Sequence, residues 1–514
     1  MTDAPAALAD GEWHRLHPAT PLLRGGAVFI AIAAIVIGNL RDRVVDLLFG
    51  APEYGGDPID EIVGRGLVPL ALLGVLVVIL VIIAATWLSW RMHTFRITDE
   101  LVEVRSGLLF RTERKGRLDR IQGINVNRPL LARLFGAARL EITLGAGDGS
   151  VQLAYLSGSR ADALRGEILR RASGARARDA DAAAAPTAAP AGSLIEQRVG
   201  ELVAPELDPA LVSPDRVVRM HPGRVIASTL LSGGTVWIIV LAAVVVSGSV
   251  IAGAASGEPI AAVAGIVFTF IPMLIGWVSF LIRRITRSLR FSVAATTDGL
   301  RVGYGLLETT NETLPPGRIH SLSISQNLLW RPFDWWEVRV NRAGSSSAQG
   351  AAGRQNTSVL PVGTREEALR IVGFALPGLL DEESRTVIAA GLGSGGGFTT
   401  SPRRAAVLRW FSWRRNGLLV RPDAVLLRRG AIWRDLVVVP TARVQSVAAS
   451  QGPLERALGV GSLAVHTVAG PIVARVGALD VHDVEDSFAR LATTTTAAVA
   501  ADRSQRWRSA EGTA

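Results

Sequence analysis

Few side chains in this 514-residue chain combine residue type and spacing in a way that could do chemistry. The chain contains no cysteine, which excludes disulfides, thiolate zinc sites and cysteine nucleophiles. No P-loop, metalloprotease or nucleophile-elbow motif occurs. The histidines never show the i, i+4 spacing of metal ligands on one helix face: they are His14, His17, His93, His221, His320, His466 and His482. We therefore predict no catalytic residues, no metal and no cofactor, and hence no enzyme.

One glycine-rich run has the spacing of a dinucleotide-binding loop. Gly391, Gly393 and Gly396 match that fingerprint, but Pro402 and an arginine pair follow where its helix should begin. No acidic residue is placed to bind a ribose. A flexible linker is the interpretation that we favour.

The composition is that of a membrane protein with basic domains. Apolar residues make up 49% and charged residues 19%, with a mean hydropathy of +0.31. The net charge of +10 suits either nucleic acid or an anionic bilayer surface. Because no recognition-helix or aromatic-ladder pattern accompanies the charge, we predict no nucleic-acid partner.

Four apolar stretches predict membrane spans in two hairpins. They cover about 25–40, 66–90, about 226–252 and about 259–282. The first is short and needs flanking residues to reach across a bilayer. A buried core helix is the alternative, but it suits runs shorter than these.

The positive-inside rule gives the orientation. The loop between the third and fourth spans contains no Lys or Arg, whereas arginines precede and follow that hairpin. This pattern predicts a multi-pass protein of the plasma membrane with its remaining domains in the cytoplasm. The span centres carry no charged residue, which favours anchors over an ion-coupled transporter.

An internal repeat is the most informative feature of the sequence. A glycine is followed by arginines 13 and 26 residues later in three copies, at Gly107, Arg120 and Arg133, at Gly305, Arg318 and Arg331, and at Gly430, Arg443 and Arg456. Each copy reads as several antiparallel strands and one closing helix, announced in the second copy by a capping box at Thr364 and Glu367. The first two copies follow an Arg-x-His-Pro motif and a hairpin, and the third has the segment 405–415 instead.

These boundaries predict an α+β chain of three small β-rich domains. The predicted segments are 1–90 with the first hairpin, 91–172 (domain 1), a 173–215 linker, 216–283 with the second hairpin, 284–380 (domain 2), a 381–402 linker, 403–492 (domain 3) and a 493–514 tail.

The third copy carries a family motif. Arg443-Val-Gln445 is followed by Gln451-Gly-Pro-Leu-x-Arg456 and then Gly459, and this pattern resembles the bacterial PH-like membrane-flanked domain family, the YdbS/YdbT-like proteins. The resemblance implies pleckstrin-homology-like (PH-like) β-sandwich domains, each with a C-terminal helix, and brings no activity. The motif positions, which are structural or binding, are Arg120, Gln122, Arg133, Arg318, His320, Arg331, Arg443, Gln445, Gln451 and Arg456.

Two functions remain open from the sequence. The favoured hypothesis is a membrane-anchored scaffold whose domains bind copies of the same chain, a partner protein or anionic lipid headgroups. The alternative is a structural subunit of a transport or export complex. Val407, Leu408, Trp410, Phe411 and Trp413 alternate with arginines and predict a segment at the membrane interface.

Overall fold

A computed structural model of the protein describes residues 10–17, 20, 66, 68–107, 111–144, 150–172, 217–257, 259–296, 299–306, 308–315, 317–342, 357–379 and 381–502. The predicted span at 25–40 and the predicted linker at 173–215 lie outside these residues. The chain forms two compact units. One holds residues up to Leu118, Arg128–Glu141 and Val151–Ile168, and the other holds Asp119–Asn127, Ile142–Ser150 and the chain from Leu169 onwards.

Domain 1 begins with a two-residue strand that precedes a long apolar helix. β1 pairs antiparallel with β2, β2 with β3 and β3 with β4, and the buried Phe95, Ile97, Val102 and Val104 line the core side. A 3-10 turn, Leu118–Arg120, leads into β5. The elements are β1 His14–Arg15, α1 Val68–Arg91, β2 Thr94–Ile97, β3 Leu101–Ser106, β4 Thr112–Arg117, β5 Ile121–Arg128, α2 Leu130–Leu134, β6 Ala137–Leu144, β7 Ser150–Ser157 and α3 Gly158–Ala172.

Domain 2 repeats this order around a helical hairpin. The elements are β8 Val217–Arg219, α4 Pro222–Leu230, α5 Gly233–Ser256, α6 Pro259–Ser288, β9 Ser292–Thr296, β10 Gly299–Tyr304, β11 Thr309–Leu314, β12 Ile319–Gln326, β13 Trp335–Arg342, β14 Ser358–Thr364 and α7 Arg365–Ala375. The predicted capping box is confirmed, because Glu367 N donates to Thr364 Oγ1 and Thr364 N donates to Glu367 Oε2. Trp336, Val338, Leu360 and Ile371 are buried in the core between sheet and helix.

Domain 3 follows a further helix, α8 Glu382–Leu392. Its elements are β15 Thr399–Thr400, α9 Ala406–Arg409, β16 Gly417–Val420, β17 Ala424–Arg429, β18 Arg434–Pro440, β19 Ser446–Ser450, α10 Pro453–Ala457, β20 Val460–His466, β21 Arg475–Asp480 and α11 Val481–Ala501. A 3-10 turn, Thr441–Arg443, precedes β19. The tail predicted to begin at 493 is thus helical as far as Ala501.

The prediction that 381–402 is a linker unable to contribute to a core is wrong. Asp381 caps α8, and Ile388, Leu392 and Phe398 are buried in the main core of the larger unit. Five glycines from 391 to 397 dominated the composition and hid these three apolar side chains. Backbone carbonyls of the glycine run also accept hydrogen bonds, since Arg428 Nη1 donates to Gly395 O at 2.7 Å.

The two apolar helices α5 and α6 leave and rejoin a single sheet. Within the described residues they hold the stretches long and apolar enough to cross a bilayer, Gly233–Ala255 and Thr269–Ser288. α1 is also helical over 24 residues. Two further spans, and with them the four-span arrangement, remain a prediction.

The short strand before each insertion pairs with the strand that follows it. β8 precedes the α5–α6 hairpin and β9 follows it, and the two pair antiparallel from Val217↔Ala294 to Arg219↔Ser292. β1 pairs in the same way with β2, and β15 with β16. The His-Pro motif opens α4, with His221 as its N-cap and Pro222 as its first helical residue.

Domains 2 and 3 share one sheet. Its strand order is β14-β13-β12-β18-β17-β16-β15, so the fifth strand of domain 2 pairs with the fourth strand of domain 3. In the same compact unit, β5 lies beside β11, the fourth strand of domain 2. This shared pairing explains why the three sequence repeats do not form three separate compact units.

Candidate membrane-facing site

The 3-10 turn Leu328–Phe333 of domain 2 is held against the base of the hairpin. Asn327 Nδ2 donates to Leu231 O at 3.3 Å, and Trp330 Nε1 donates to Ser228 O at 3.2 Å. Ser228 lies in the last turn of α4 and Leu231 directly follows that helix, so both carbonyls are at the end of the hairpin where the chain leaves the domain. The turn therefore lies where the domain meets the hairpin.

Apolar side chains on this turn are exposed rather than buried. Leu328, Leu329 and Phe333 are 46%, 37% and 53% exposed beside a helix that is apolar enough to enter a bilayer. The other domains show the same pattern on the short helices α2 and α10. The leucine 24 residues after the repeated glycine is exposed in every copy, at Leu131, Leu329 and Leu454. Such exposed leucines lie outside the core, and several exposed apolar side chains grouped on one turn are typical of a docking surface.

A left-handed residue ends each of these short turns. Gly136, Asp334 and Gly459 all have positive φ, and each stands 29 residues after the repeated glycine. In domain 2 the Asp334 carboxylate also accepts from Trp336 Nε1 at 2.8 Å. The sequence interpretation missed the leucine and left-handed positions, although their fixed distance from the repeated glycine would have revealed them.

In domain 3 a short helical segment takes the place of the hairpin. Residues 403–416 lie between β15 and β16, as the hairpin lies between β8 and β9. Val407, Trp410 and Phe411 of this segment are 79%, 70% and 58% exposed. Trp410 and Phe411 line a groove, and the exposed Leu454 of α10 also borders it. Trp413 is half-buried, and the Arg414 guanidinium lies over its ring at 5.2 Å.

The first repeated arginines lie in the turns before the fifth strands. Arg318 Nη2 donates to Asp119 O at 2.7 Å, and Arg443 Nη2 pairs with Asp502 at 2.8 Å. Arg120 is exposed. Burial and the nearby Arg443 guanidinium lower the pKa of Arg318. The partner of Arg318 belongs to another repeat and that of Arg443 to the end of α11, so neither comes from the arginine's own sheet.

The position two residues after these arginines differs among the repeats. Gln122 is buried, His320 is half-buried and Gln445 is exposed. Burial lowers the pKa of His320 to about 4, helped by the positive charges of Arg443 and Arg318. The imidazole is therefore neutral at physiological pH.

The second repeated arginine of domain 2 connects to domain 3. Arg331 Nη2 donates to Ile432 O at 3.0 Å, in the turn between β17 and β18. Its counterpart Arg456 is exposed, and the structure records no partner for that side chain among the described residues, whereas Arg133 is half-buried. Gln451 Nε2 donates to Val460 O at 3.0 Å within domain 3.

The motif residues thus fall into two groups rather than one pocket. The turns before the fifth strands bring Arg318, His320 and Arg443 close together, and the turns after those strands carry Arg331, Gln451 and Arg456. The exposed Trp410 and Phe411 belong to a third surface, which they share with Leu454. Among the described residues no three His, Asp or Glu side chains are grouped as metal ligands.

These features define a membrane protein built from repeated PH-like domains, and the comparisons with known proteins agree. The bacterial PH domain family matches residues 47–172, 236–376 and 367–494, and the chain belongs to this family. The UPF0699 transmembrane protein YdbT of Bacillus subtilis (strain 168) is 25% identical over 358 residues. That alignment covers 66% of this chain and 65% of YdbT, so it spans just under two thirds of the relative. No solved structure matches the chain.

Proposed function

We propose that this protein is a membrane-anchored scaffold that holds three PH-like domains against the cytoplasmic face of the plasma membrane and offers them to other proteins or to copies of itself. One observation carries the proposal. The segment that replaces the hairpin in domain 3 exposes Val407, Trp410 and Phe411 at the same topological position, between the first two strands, that the apolar helices α5 and α6 occupy in domain 2.

The net charge of the domains supports docking at an anionic bilayer. Each domain region is basic, with net charges of +5 for 91–170, +5 for 283–372 and +6 for 403–490. Arginine near an anionic leaflet contributes about 1 kcal/mol of attraction per residue. Anionic lipid headgroups are therefore the lipid class that the proposal assigns to the docked domains. Nothing in the described residues favours the alternative of a transport or export subunit.

The experiment places an environment-sensitive label at single cysteines in the full chain, which has none of its own. Val407→Cys and Leu454→Cys are labelled and reconstituted in nanodiscs with or without anionic lipid. Glu485→Cys, in the acidic first turns of α11, is the matched aqueous control. We expect lipid-borne quenchers to act on labels at 407 and 454 and not at 485.

Lipid composition and salt give the second readout. Quenching at 407 and 454 should be stronger with anionic lipid and should weaken at high salt, because exposed charges are screened. Equal quenching by a water-soluble reagent at all three positions, whatever the lipid, would show that domain 3 does not dock and would remove the observation on which the proposal rests.

A further inference from the structure

Two kinds of strand edge join the repeats of this chain. The fifth strand of one domain pairs with the fourth strand of the next, as β12 pairs with β18 in the register Leu322↔Val438 to Gln326↔Arg434. β5 lies beside β11, and the side chains of Asn127 and Glu308 are hydrogen-bonded there at 2.6 Å. The same joint therefore occurs twice.

Three repeats joined in this way leave one edge of each kind. Among the described residues, β19 is the end strand of its sheet and pairs only with β20, and β4 is the end strand of its own and pairs only with β3. β19 is therefore a fifth strand without a fourth-strand neighbour, and β4 is a fourth strand without a fifth-strand neighbour. β19 therefore has the free edge that a fourth strand pairs with, and β4 has the free edge that a fifth strand pairs with.

The edge of β19 lacks the usual protection against pairing. Its sequence is Ser-Val-Ala-Ala-Ser, without charge or proline, and four of its five residues are exposed. Native edge strands are commonly protected by Lys, Pro or a bulge. β4 carries Glu113, Arg114 and Lys115, which are all exposed and have long side chains. The alanines of β19 leave room beside such side chains.

The polar contact that flanks the β12–β18 joint has counterparts at both free edges. Arg434 Nη1 donates to Gln326 Oε1 at 3.3 Å. Eight residues after the repeated arginine, Gln326 corresponds to Gln451, and four residues after the repeated glycine, Arg434 corresponds to Arg111. Gln451 Nε2 donates to Val460 O within domain 3. Its Oε1 corresponds to the Gln326 Oε1 that accepts from Arg434.

A second contact shows the same correspondence. Arg331 reaches the β17–β18 turn of the following domain, whereas Arg456 at the same position of domain 3 has no recorded side-chain partner among the described residues. Arg456 is exposed. The third copy therefore retains both the glutamine and the arginine of a joint.

We infer that β19 of one copy pairs antiparallel with β4 of a second copy, so that the chains assemble head to tail. The register copied from β12–β18 sets Ala448 opposite Arg114, Ala449 opposite Glu113 and Gln451 opposite Arg111. Such a heterologous contact gives a ring if it closes and an open filament if it does not. This inference rests on the proposed scaffold function and names a second copy as its partner.

The test uses disulfide trapping between full-length chains in membranes. One tagged chain carries Ala449→Cys and a second, differently tagged chain carries Glu113→Cys, and both are oxidised after co-expression. Opposed residues of antiparallel strands have Cα atoms about 5 Å apart, within disulfide reach. Arg117→Cys is the matched control, because four residues along β4 move the thiol by about 13 Å.

We expect a disulfide-linked heterodimer from the 449 and 113 pair at least tenfold more abundant than from the 449 and 117 pair. Adding Gln451→Glu and Arg111→Glu on the respective chains should reduce it, because two carboxylates would then meet. Equal trapping at 113 and 117, trapping of 449 with 449 in place of 113, or no trapping would each overturn the inference.

The lipid-quenching experiment at 407 and 454 runs on the same preparations. If lipid quenching shows that the third domain docks but no disulfide forms between 449 and 113, the proposed membrane function stands and the head-to-tail assembly is overturned. A chain that traps but does not dock gives the reverse result.

Discussion

Gly430 illustrates how one backbone angle explains a repeated residue. It has a φ of +76°, and a Cβ there would collide with the carbonyl oxygen of Trp433. Gly305 has a φ of +106° and the same conflict with the carbonyl oxygen of Glu308, and Gly107 has a φ of +109°. The turn between the third and fourth strands therefore requires glycine in every repeat.

Gly430→Ala should destabilise domain 3. The left-handed backbone alone costs about 1–2 kcal/mol for a residue with a Cβ, and the conflict with the Trp433 carbonyl adds to that. Thermal unfolding of the full chain in detergent, monitored by a probe placed in domain 3, measures the change in melting temperature. Gly395→Ala is the control, since a Cβ there meets nothing within 4 Å. Equal melting of the two variants would contradict this account of the repeat.

His320 makes stability depend on pH. Its pKa is about 4 in the folded protein and about 6.5 in an unfolded chain, so the unfolded state binds the proton more tightly. The contribution of His320 is complete above the unfolded value and is lost as the pH falls from about 6.5 towards about 4. Between pH 7.5 and 5.5 the loss is about 1 kcal/mol.

His320→Gln should remove this pH dependence, because glutamine does not titrate and stands at the same position in the other two repeats, as Gln122 and Gln445. Denaturant unfolding of the full chain at both pH values measures the difference. The idea fails if the variant loses as much stability on acidification as the parent protein.

At the scale of elements, the contact between the 3-10 turn and the hairpin can be tested through Trp330. Its ring is buried and its Nε1 donates to Ser228 O. Trp330→Phe keeps most of the ring and leaves that carbonyl without its donor, which should cost about 1–3 kcal/mol. Hydrogen exchange of α4 should rise in the variant. Trp433→Phe, at an exposed position, should leave the same amides unchanged.

The sequence predicted the elements that periodicity and spacing control. The repeat, the β-rich domains and the helix start at Thr364 follow from local pattern, and each is present in the structure. Partners across repeats could not be predicted, because the Asp119 carbonyl that receives Arg318 stands 199 residues away. The packing of Phe398 was hidden by the glycines around it. An isolated domain would lack the Arg318 contact, so a melting test of that residue needs the full chain.

At the scale of the whole molecule, the hairpin predicts which surfaces face the cell exterior. The α5–α6 turn contains no Lys or Arg, whereas Arg283, Arg284 and Arg287 lie at the other end of α6. Ala254→Cys should react with a membrane-impermeant maleimide in intact cells. Ser446→Cys, exposed on β19, should react only after the cells are broken. Labelling at 446 in unbroken cells would invert the topology and remove the cytoplasmic face from the proposed function.

The pairing of β8 with β9 has a consequence for synthesis. β8 leaves the ribosome before the hairpin, but its partner strand begins at Ser292, after both apolar helices. The sheet of domain 2 therefore cannot close until α5 and α6 have been made. Val218, which the finished sheet buries, stays accessible to chaperones and proteases until then.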